Sequence, residues 1–477
     1  MRRLQILIFL TLALSACTTE KENVFIKGKI IDNATPKLLY TAIQNDFYNG
    51  WFKDSVIIDS TGSFLITLSI DKPVFIGLQS KSNFKKMIVE PDKTYEIEIR
   101  GKQINIINND DAQTFYDALP KFPPNAARNI PKDVSDYESI RSSYDEKFDN
   151  ELQELAKINC SSDLRALITS ERQVYYNFAI STIASINYNT AYRNNVTPEN
   201  AVIQMWSDAV NDTFITDATT KKTYYYYDLL RMAFWSNLYT KLDYESIKLI
   251  RKEKREQGLI HTYNIELAKL LLPEDVIEYY TATYIQATTR QKKFEKELIN
   301  LLEEFKTDYP ESKYTTYIAP NINEIEYYYE KVAREANENY KFVDNYENIT
   351  SLAEALEPFN GKKVYVDIWA TSCGYCKDEF KHNKKLKEIL KSYGVEILYI
   401  SLDSDRHKNR WNDMIKFYEL EGNHIRATKE LGNDLKEELK EYSGMPHYLI
   451  IDKKGNIVND NAARPSNISE LEKQLKI

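Results

Sequence analysis

The stretch Val364-Tyr-Val-Asp-Ile-Trp369-Ala-Thr-Ser-Cys373-Gly-Tyr-Cys376-Lys-Asp-Glu379 decides how the last third of this chain is read. The apolar run from Val364 to Trp369 has the composition of a buried strand, and the Lys/Glu-rich segment beyond Cys376 has that of a helix. Strand, short turn and helix in that order place Cys373 at the tip of a helix leaving a buried strand. Unpaired backbone N–H groups and the helix dipole favour negative charge there, so the spacing predicts a stabilised Cys373 thiolate. Cys376 follows one turn later, and two thiols at this separation are the minimal device for exchanging disulfides.

Around this stretch, from about Tyr340, strands and helices alternate. Residues 363–369, 395–401 and 446–452 are strand-like, 376–392 and 405–420 helical, and 428–442 helical at least in part. Lys453-Lys-Gly-Asn456 is a turn before a short pairing strand at 457–458, and 466–475 is a final helix. A β-α-β unit followed by a hairpin and a helix is the expectation for this module.

Upstream the pattern differs twice. Between Val24 and about Gly101, Phe64, Ile66, Leu68 and Ile70 alternate with Leu65, Thr67 and Ser69. Tyr95, Ile97 and Ile99 do the same with Glu96, Glu98 and Arg100, which marks half-buried strands. Asp59-Ser-Thr-Gly62 and Glu90-Pro-Asp-Lys93 supply turns, and a small antiparallel sandwich is predicted. From about Asp110 to Asn339 the period is helical. Ser135-x-x-Glu138 is a capping box, after which Tyr137, Ile140, Tyr144, Phe148, Leu152 and Leu155 line one face. Further helices are expected over 163–186, 222–238, 265–272, 273–305 and 323–337, and the tyrosine runs at 224–227 and 327–329 are read as helix packing with the hydroxyls at the surface.

The chain has 477 residues, 43% hydrophobic, with a formal net charge of −8. That length suits two or three domains, and the absence of a basic stripe argues against a nucleic-acid partner. At the N-terminus, Met1-Arg-Arg3 precedes a short apolar run from Leu4 to Leu14 and then Leu14-Ser-Ala-Cys17. The run is too short for a transmembrane helix and suits a signal peptide. The four cysteines are Cys17, Cys160, Cys373 and Cys376. They do not make a disulfide-stapled scaffold, and Cys160 is read as a structural free thiol. No second Cys-x-x-Cys accompanies the first, so no metal site is expected. The division expected is 1–16 leader, 17–23 linker, 24–104 β domain, 105–338 helical domain and 339–477 α/β domain.

Leu14-Ser-Ala-Cys17 resembles the bacterial lipobox. That resemblance implies cleavage before Cys17, lipid attachment to it, and stable anchoring through several acyl chains. Thr18 in place of Asp lacks the family's inner-membrane retention signal, so an outer-membrane, periplasm-facing position in the cell envelope is expected. The β segment, with "DSTGSF" and "VEPDKTYEI", resembles the small domain often found N-terminal to thioredoxin modules in bacterial lipoproteins.

"VYVDIWATSCGYCKDEF" at 364–380 and "YSGMPHYLIIDKKGNIV" at 442–458 resemble the thioredoxin superfamily, most of all its TlpA/ResA-like membrane-attached thiol-disulfide oxidoreductases. The resemblance covers the last third and implies a multi-domain α/β protein with a C-terminal thioredoxin fold. It implies Cys373 as attacking thiolate, Cys376 as resolving thiol, Asp367 as proton acceptor for Cys376, and Glu379 as a carboxylate tuning the thiols. Pro446 matches the superfamily's cis-proline, which sets the Met445 backbone opposite Cys373 as an edge for an extended client. Trp369 is expected to pack beneath the site, and it is counted with Tyr375, Met445 and Pro446 among the substrate-binding residues. Ser372 stands where a tryptophan is usual, and Tyr375, where a proline is usual, adds a phenol beside the thiols. His447 replaces a common threonine.

The implied activity is reduction of protein or peptide disulfides, with no cofactor beyond the dithiol and with recharging by a membrane electron donor. Two other readings stay open at this stage: a binding lipoprotein with an idle thioredoxin fold, and a thiol peroxidase of the same superfamily.

Overall fold

The computed structural model describes residues 22–31, 38–42, 54–80, 83–101, 103–120, 137–334, 339–439 and 444–476. The leader, Cys17 and the Ser135 of the capping box lie outside these residues. The chain divides into two compact units, Met1–Thr283 and Tyr284–Ile477.

The first unit begins with eight strands: β1 Glu22–Ile30, β2 Leu38–Ala42, β3 Asp54–Val56, β4 Ser63–Ile70, β5 Val74–Ser80, β6 Asn83–Val89, β7 Thr94–Arg100 and β8 Gln103–Ile106. They form two sheets, β4-β1-β7-β8 and β3-β2-β5-β6. All pairings are antiparallel except β1 with β7. The alternating residues expected to face inward do so. Phe64, Ile66, Leu68, Ile70, Tyr95, Ile97 and Ile99 share one core with Leu38, Ile76, Leu78 and Met87 of the other sheet, which makes the pair a sandwich. Fully burying one such aliphatic side chain contributes about 1.5–3 kcal/mol. Gly62 closes the turn into β4 with φ at +83°, where a Cβ would stand 2.6 Å from the Ile30 carbonyl oxygen.

Among the described residues the helices that follow are α1 Asp111–Ala118, α2 Tyr137–Lys157, α3 Ser162–Arg193, α4 Asn200–Ala209, α5 Asp212–Thr216, α6 Tyr226–Lys241, α7 Tyr244–Glu256, α8 Ile260–Leu271 and α9 Glu274–Thr289. Phe75 and Ile88 on the outer face of the second sheet share a core with Tyr116, Leu155, Leu164, Ile168 and Tyr224. The tyrosines of the 224–227 run pack, but the hydroxyls expected at the surface are not all there: Tyr226 is fully buried and its hydroxyl donates to the Ile215 carbonyl at 2.7 Å, an interior acceptor that satisfies it without water.

The division between the units falls within α9, and the second unit continues with α10 Glu297–Asp308 and α11 Thr315–Ala333. The single helix expected over 273–305 is therefore two, broken at 290–296, where Lys292 and Phe294 take φ of 48° and 52°. The Phe294 ring explains the break. It stacks on Tyr328 at 4.4 Å and meets Phe417 at 5.0 Å, which a continuous helix could not arrange. Next come β9 Tyr340–Phe342, α12 Leu352–Leu356, β10 Lys363–Trp369, α13 Gly374–Glu379, α14 Asn383–Ser392, β11 Val395–Ser401, α15 Lys408–Phe417, β12 Gly422–Arg426, α16 Lys429–Glu438, β13 His447–Ile451, β14 Ile457–Asn459 and α17 Ile468–Leu475.

The sheet order is β14-β13-β10-β11-β12-β9. Strands β10, β11, β12 and β9 run parallel, β13 is antiparallel to β10, and β14 is antiparallel to β13. Successive residues of β10 face opposite ways. Val364, Val366 and Ile368 meet α12 and α16 in one core, and Tyr365 meets α14 and α17 in another. A sheet covered on both faces is what a near-continuous apolar strand demands. The strands β9 and β12 and the short α12 are absent from the sequence reading. Gly422-Asn-His-Ile-Arg426 is too polar for the alternation rule, yet its His424 is buried and stacks on Tyr399 at 4.8 Å.

Candidate functional site

β10 runs into Ala370, Thr371 and Ser372, and Cys373 is the N-cap of α13 with extended φ and ψ of −80° and 106°. Its sulfur accepts a hydrogen bond from the Cys376 backbone N–H at 3.1 Å. That donor is one of the N–H groups every helix start leaves unpaired, so the backbone itself solvates charge on this sulfur. Cys373 and Cys376 are joined by a disulfide. Cys376 is 0% exposed, whereas Cys373 is half-buried. A visiting group reaches the first sulfur and not the second. Tyr375, 73% exposed, projects from the same turn.

The loop before Cys373 is held by a residue that the sequence reading passed over. Asp403, just past β11, is buried and takes hydrogen bonds from the Thr371 N–H at 2.8 Å and the Thr371 hydroxyl at 2.7 Å. It also accepts from the Ser401 hydroxyl at 2.7 Å. The signal available was an Asp just beyond the carboxyl end of a parallel strand, where open α/β sheets collect functional groups.

Tyr365, Asp367 and Trp369 lie on the β10 face covered by α13 and α14. Trp369 is fully buried and meets Phe380 edge-on at 5.1 Å, so it forms the floor of the site and no client touches it. Asp367 is 0% exposed, between Tyr399 and Tyr448 in register, and neither carboxylate oxygen has a hydrogen-bond partner. Burial, and then the nearby Glu379 charge, hold its pKa well above the ordinary carboxyl range. Asp367 is thus a buried acid on the strand that leads to Cys373, six residues before it. Glu379 accepts from the Ser466 N–H at 2.8 Å and the Ser466 hydroxyl at 3.0 Å, which ties α13 to the start of α17.

The Met445–Pro446 peptide bond is cis. In β13, His447 pairs with Ile368 of β10, so Met445 and Pro446 arrive at the end of the sheet from which Cys373 emerges. Met445 is half-buried, and Pro446 and His447 are buried. The structure therefore gathers Cys373, Cys376, Tyr375, Trp369, Asp367, Glu379, Met445 and Pro446 into one module. Cys160 is a half-buried free thiol packed against the core of the first unit. Among the described residues, no three His, Cys, Asp or Glu side chains group as a metal site.

Residues 339–475 match the family model described as Redoxin. The thiol-disulfide oxidoreductase ResA of Bacillus thuringiensis subsp. konkukian is 28% identical over 123 residues, covering 25% of this chain and 66% of that protein. ResA of one Bacillus cereus strain is 29% identical over 110 residues, covering 22% and 56% respectively. The chain thus spans less than two thirds of the length of these relatives. Among solved structures, the thioredoxin domain of a thiol-disulfide oxidoreductase from Bacteroides vulgatus is 28% identical, with 25% of this chain and 81% of that one covered and a TM-score of 0.21. A thiol:disulfide interchange protein from Bacteroides sp. is 28% identical, with 26% and 78% covered and a TM-score of 0.22.

Proposed function

We propose that residues 339–475, which match the Redoxin family model, form a thioredoxin-superfamily domain of the TlpA/ResA-like kind, and that the chain is a thiol-disulfide oxidoreductase reducing disulfides in protein or peptide clients. The observation carrying this is the Cys373 sulfur at a helix tip, hydrogen-bonded by the Cys376 N–H, with the second sulfur buried behind it.

The reaction starts from the dithiol. The Cys373 thiolate attacks one sulfur of a client disulfide; the client S–S bond breaks, a mixed disulfide forms, and the other client sulfur leaves as a thiolate. Cys376 gives up its proton towards Asp367, and its sulfur attacks Cys373. The mixed bond breaks, the second client thiolate leaves, and the Cys373–Cys376 disulfide remains. Two electrons have passed from protein to client, and a thiol-bearing donor returns them. Asp367 suits the proton step because burial raises its carboxyl pKa and so makes its carboxylate a stronger base. The cis edge at Met445 suits main-chain pairing with an extended client.

The leader, Cys17 and the departure at Thr18 support a lipid-anchored protein facing the periplasm, with the outer membrane as its place, and the TlpA/ResA-like resemblance is what supports a membrane thiol relay as its donor. Incorporation of labelled palmitate that Cys17→Ala abolishes is the test of the anchor. For the chemistry, insulin reduction with dithiothreitol is compared between the wild type and Cys373→Ala. Equal rates would make the fold a binding scaffold.

A further inference from the structure

Lys377 has no part in these steps, yet it is the most unusual side chain near them. It lies four residues after Cys373, and its backbone N–H approaches the Cys373 carbonyl at 3.4 Å. Residues four apart share a helix face, so Lys377 stands one turn after Cys373 on the same side of α13. The side chain is 0% exposed. Its ammonium donates to the carbonyls of Gln291 at 3.2 Å and Lys292 at 2.9 Å. An ammonium out of water is tolerated only where such acceptors replace the solvent.

Those acceptors exist because the chain is not helical at 290–296. The left-handed Lys292 and Phe294 turn carbonyls inward, and Phe294, wedged against Tyr328 and Phe417, fixes the segment. The charges facing Lys377 come from several elements. Arg410 on α15, Lys292 and Lys293 disfavour its protonated form, and Asp403 favours it. Burial and these cations bring its pKa down to about 7 in this disulfide state, so its charge is poised near neutrality.

We propose that Lys377, cradled by the carbonyls of the 290–296 segment, is a positioning residue that stabilises the Cys373 thiolate by its charge, so that a segment lying before the thioredoxin fold sets the dithiol's reducing strength. This rests on the oxidoreductase reading above. The coupling is reciprocal: the ammonium favours the thiolate, and the thiolate formed when the disulfide is reduced favours the ammonium.

The test uses the full chain. Thiolate absorbance against pH gives the Cys373 pKa, and equilibration with glutathione gives the dithiol/disulfide ratio. For Lys377→Met the thiol pKa should rise by about one unit, with about a tenfold change in that equilibrium towards disulfide. Lys377→Arg, which keeps the charge, should hold the wild-type values. A folded Met variant with an unchanged thiol, or an Arg variant shifted as far as the Met one, would overturn the proposal.

If the Met variant does not fold, the wild type decides alone. The Lys377 side-chain carbon resonance should titrate about one unit higher in reduced than in oxidised protein, and equal midpoints would overturn the proposal. Absent insulin reduction with the lysine–thiol coupling intact would remove the function and leave this inference standing. Insulin reduction with no coupling would do the reverse.

Discussion

Asp403 and Thr371 are joined twice, carboxylate to backbone N–H at 2.8 Å and carboxylate to hydroxyl at 2.7 Å. These bonds bring the end of β11 to the turn that presents Cys373. Replacing Asp403 by Ala strands a buried N–H and two buried hydroxyls, each costing about 1–3 kcal/mol when left unpaired. Denaturant unfolding of Asp403→Ala should show a loss of that order, and client reduction should fall because the turn no longer holds the sulfur in place. Unchanged unfolding would mean that water replaces the carboxylate.

Asp367 gives a pH prediction of definite sign. Its folded pKa is raised above the ordinary 3.8, so the folded state keeps a proton that the unfolded chain releases. Its contribution to stability is complete below 3.8 and is lost as pH rises through the folded value. Each unit of displacement is worth about 1.4 kcal/mol. Asp367→Asn should therefore be more stable than the wild type at pH 7, with the gap closing in acid. On the proposed mechanism the same variant should also accumulate mixed disulfide with a client, because Cys376 would lose its proton acceptor. Urea unfolding at several pH values and gel detection of the adduct check the two halves separately.

Glu379 lies close enough to Asp367 for its charge to push the latter's pKa further upward. In Glu379→Gln the pH window over which Asp367 drains stability should end at a lower pH, while the amide oxygen can still accept from Ser466. Closely spaced stability measurements would read this. An identical window in both proteins would show that burial alone displaces Asp367.

His424 predicts an opposite limb. Burial pushes its pKa down to about 4 from an ordinary 6.5, against the opposing pull of the Leu420 carbonyl 2.8 Å from Nε2. The folded state keeps it neutral while the unfolded chain protonates, so its contribution is present above 6.5 and lost as pH falls towards 4. His424→Phe retains the stacking on Tyr399 and should lose less thermal stability between those pH values. A variant as acid-sensitive as the wild type would assign that limb to other groups.

Much of this was legible because it is local. The alternation of Phe64 to Ile70 implied its own buried face, and the Val364–Trp369 run before Cys-x-x-Cys implied a strand, a turn and a helix tip. Short-range chemistry governs each: side-chain period, turn residues, and the N–H groups a helix start leaves unpaired. Where the reading fell short, distant partners decide. The 273–305 pattern is helical throughout by period, yet Phe294 finds better packing on Tyr328 and Phe417 and the helix breaks. His424 sits in a segment with no strand signature and is held there by a neighbouring strand and a ring face.

Lys377 draws the line most sharply. In Cys-Lys-Asp-Glu379 it looks like one more solvated charge, and no local rule distinguishes it from the exposed Asp378. The sequence alone determined that two thiols stand one turn apart at the start of a helix, since strand, turn and helix preferences are written within twenty residues. Only the tertiary structure decided which charges lie out of water beside them. Desolvation depends on what covers a side chain, and here the cover comes from carbonyls about eighty-five residues upstream.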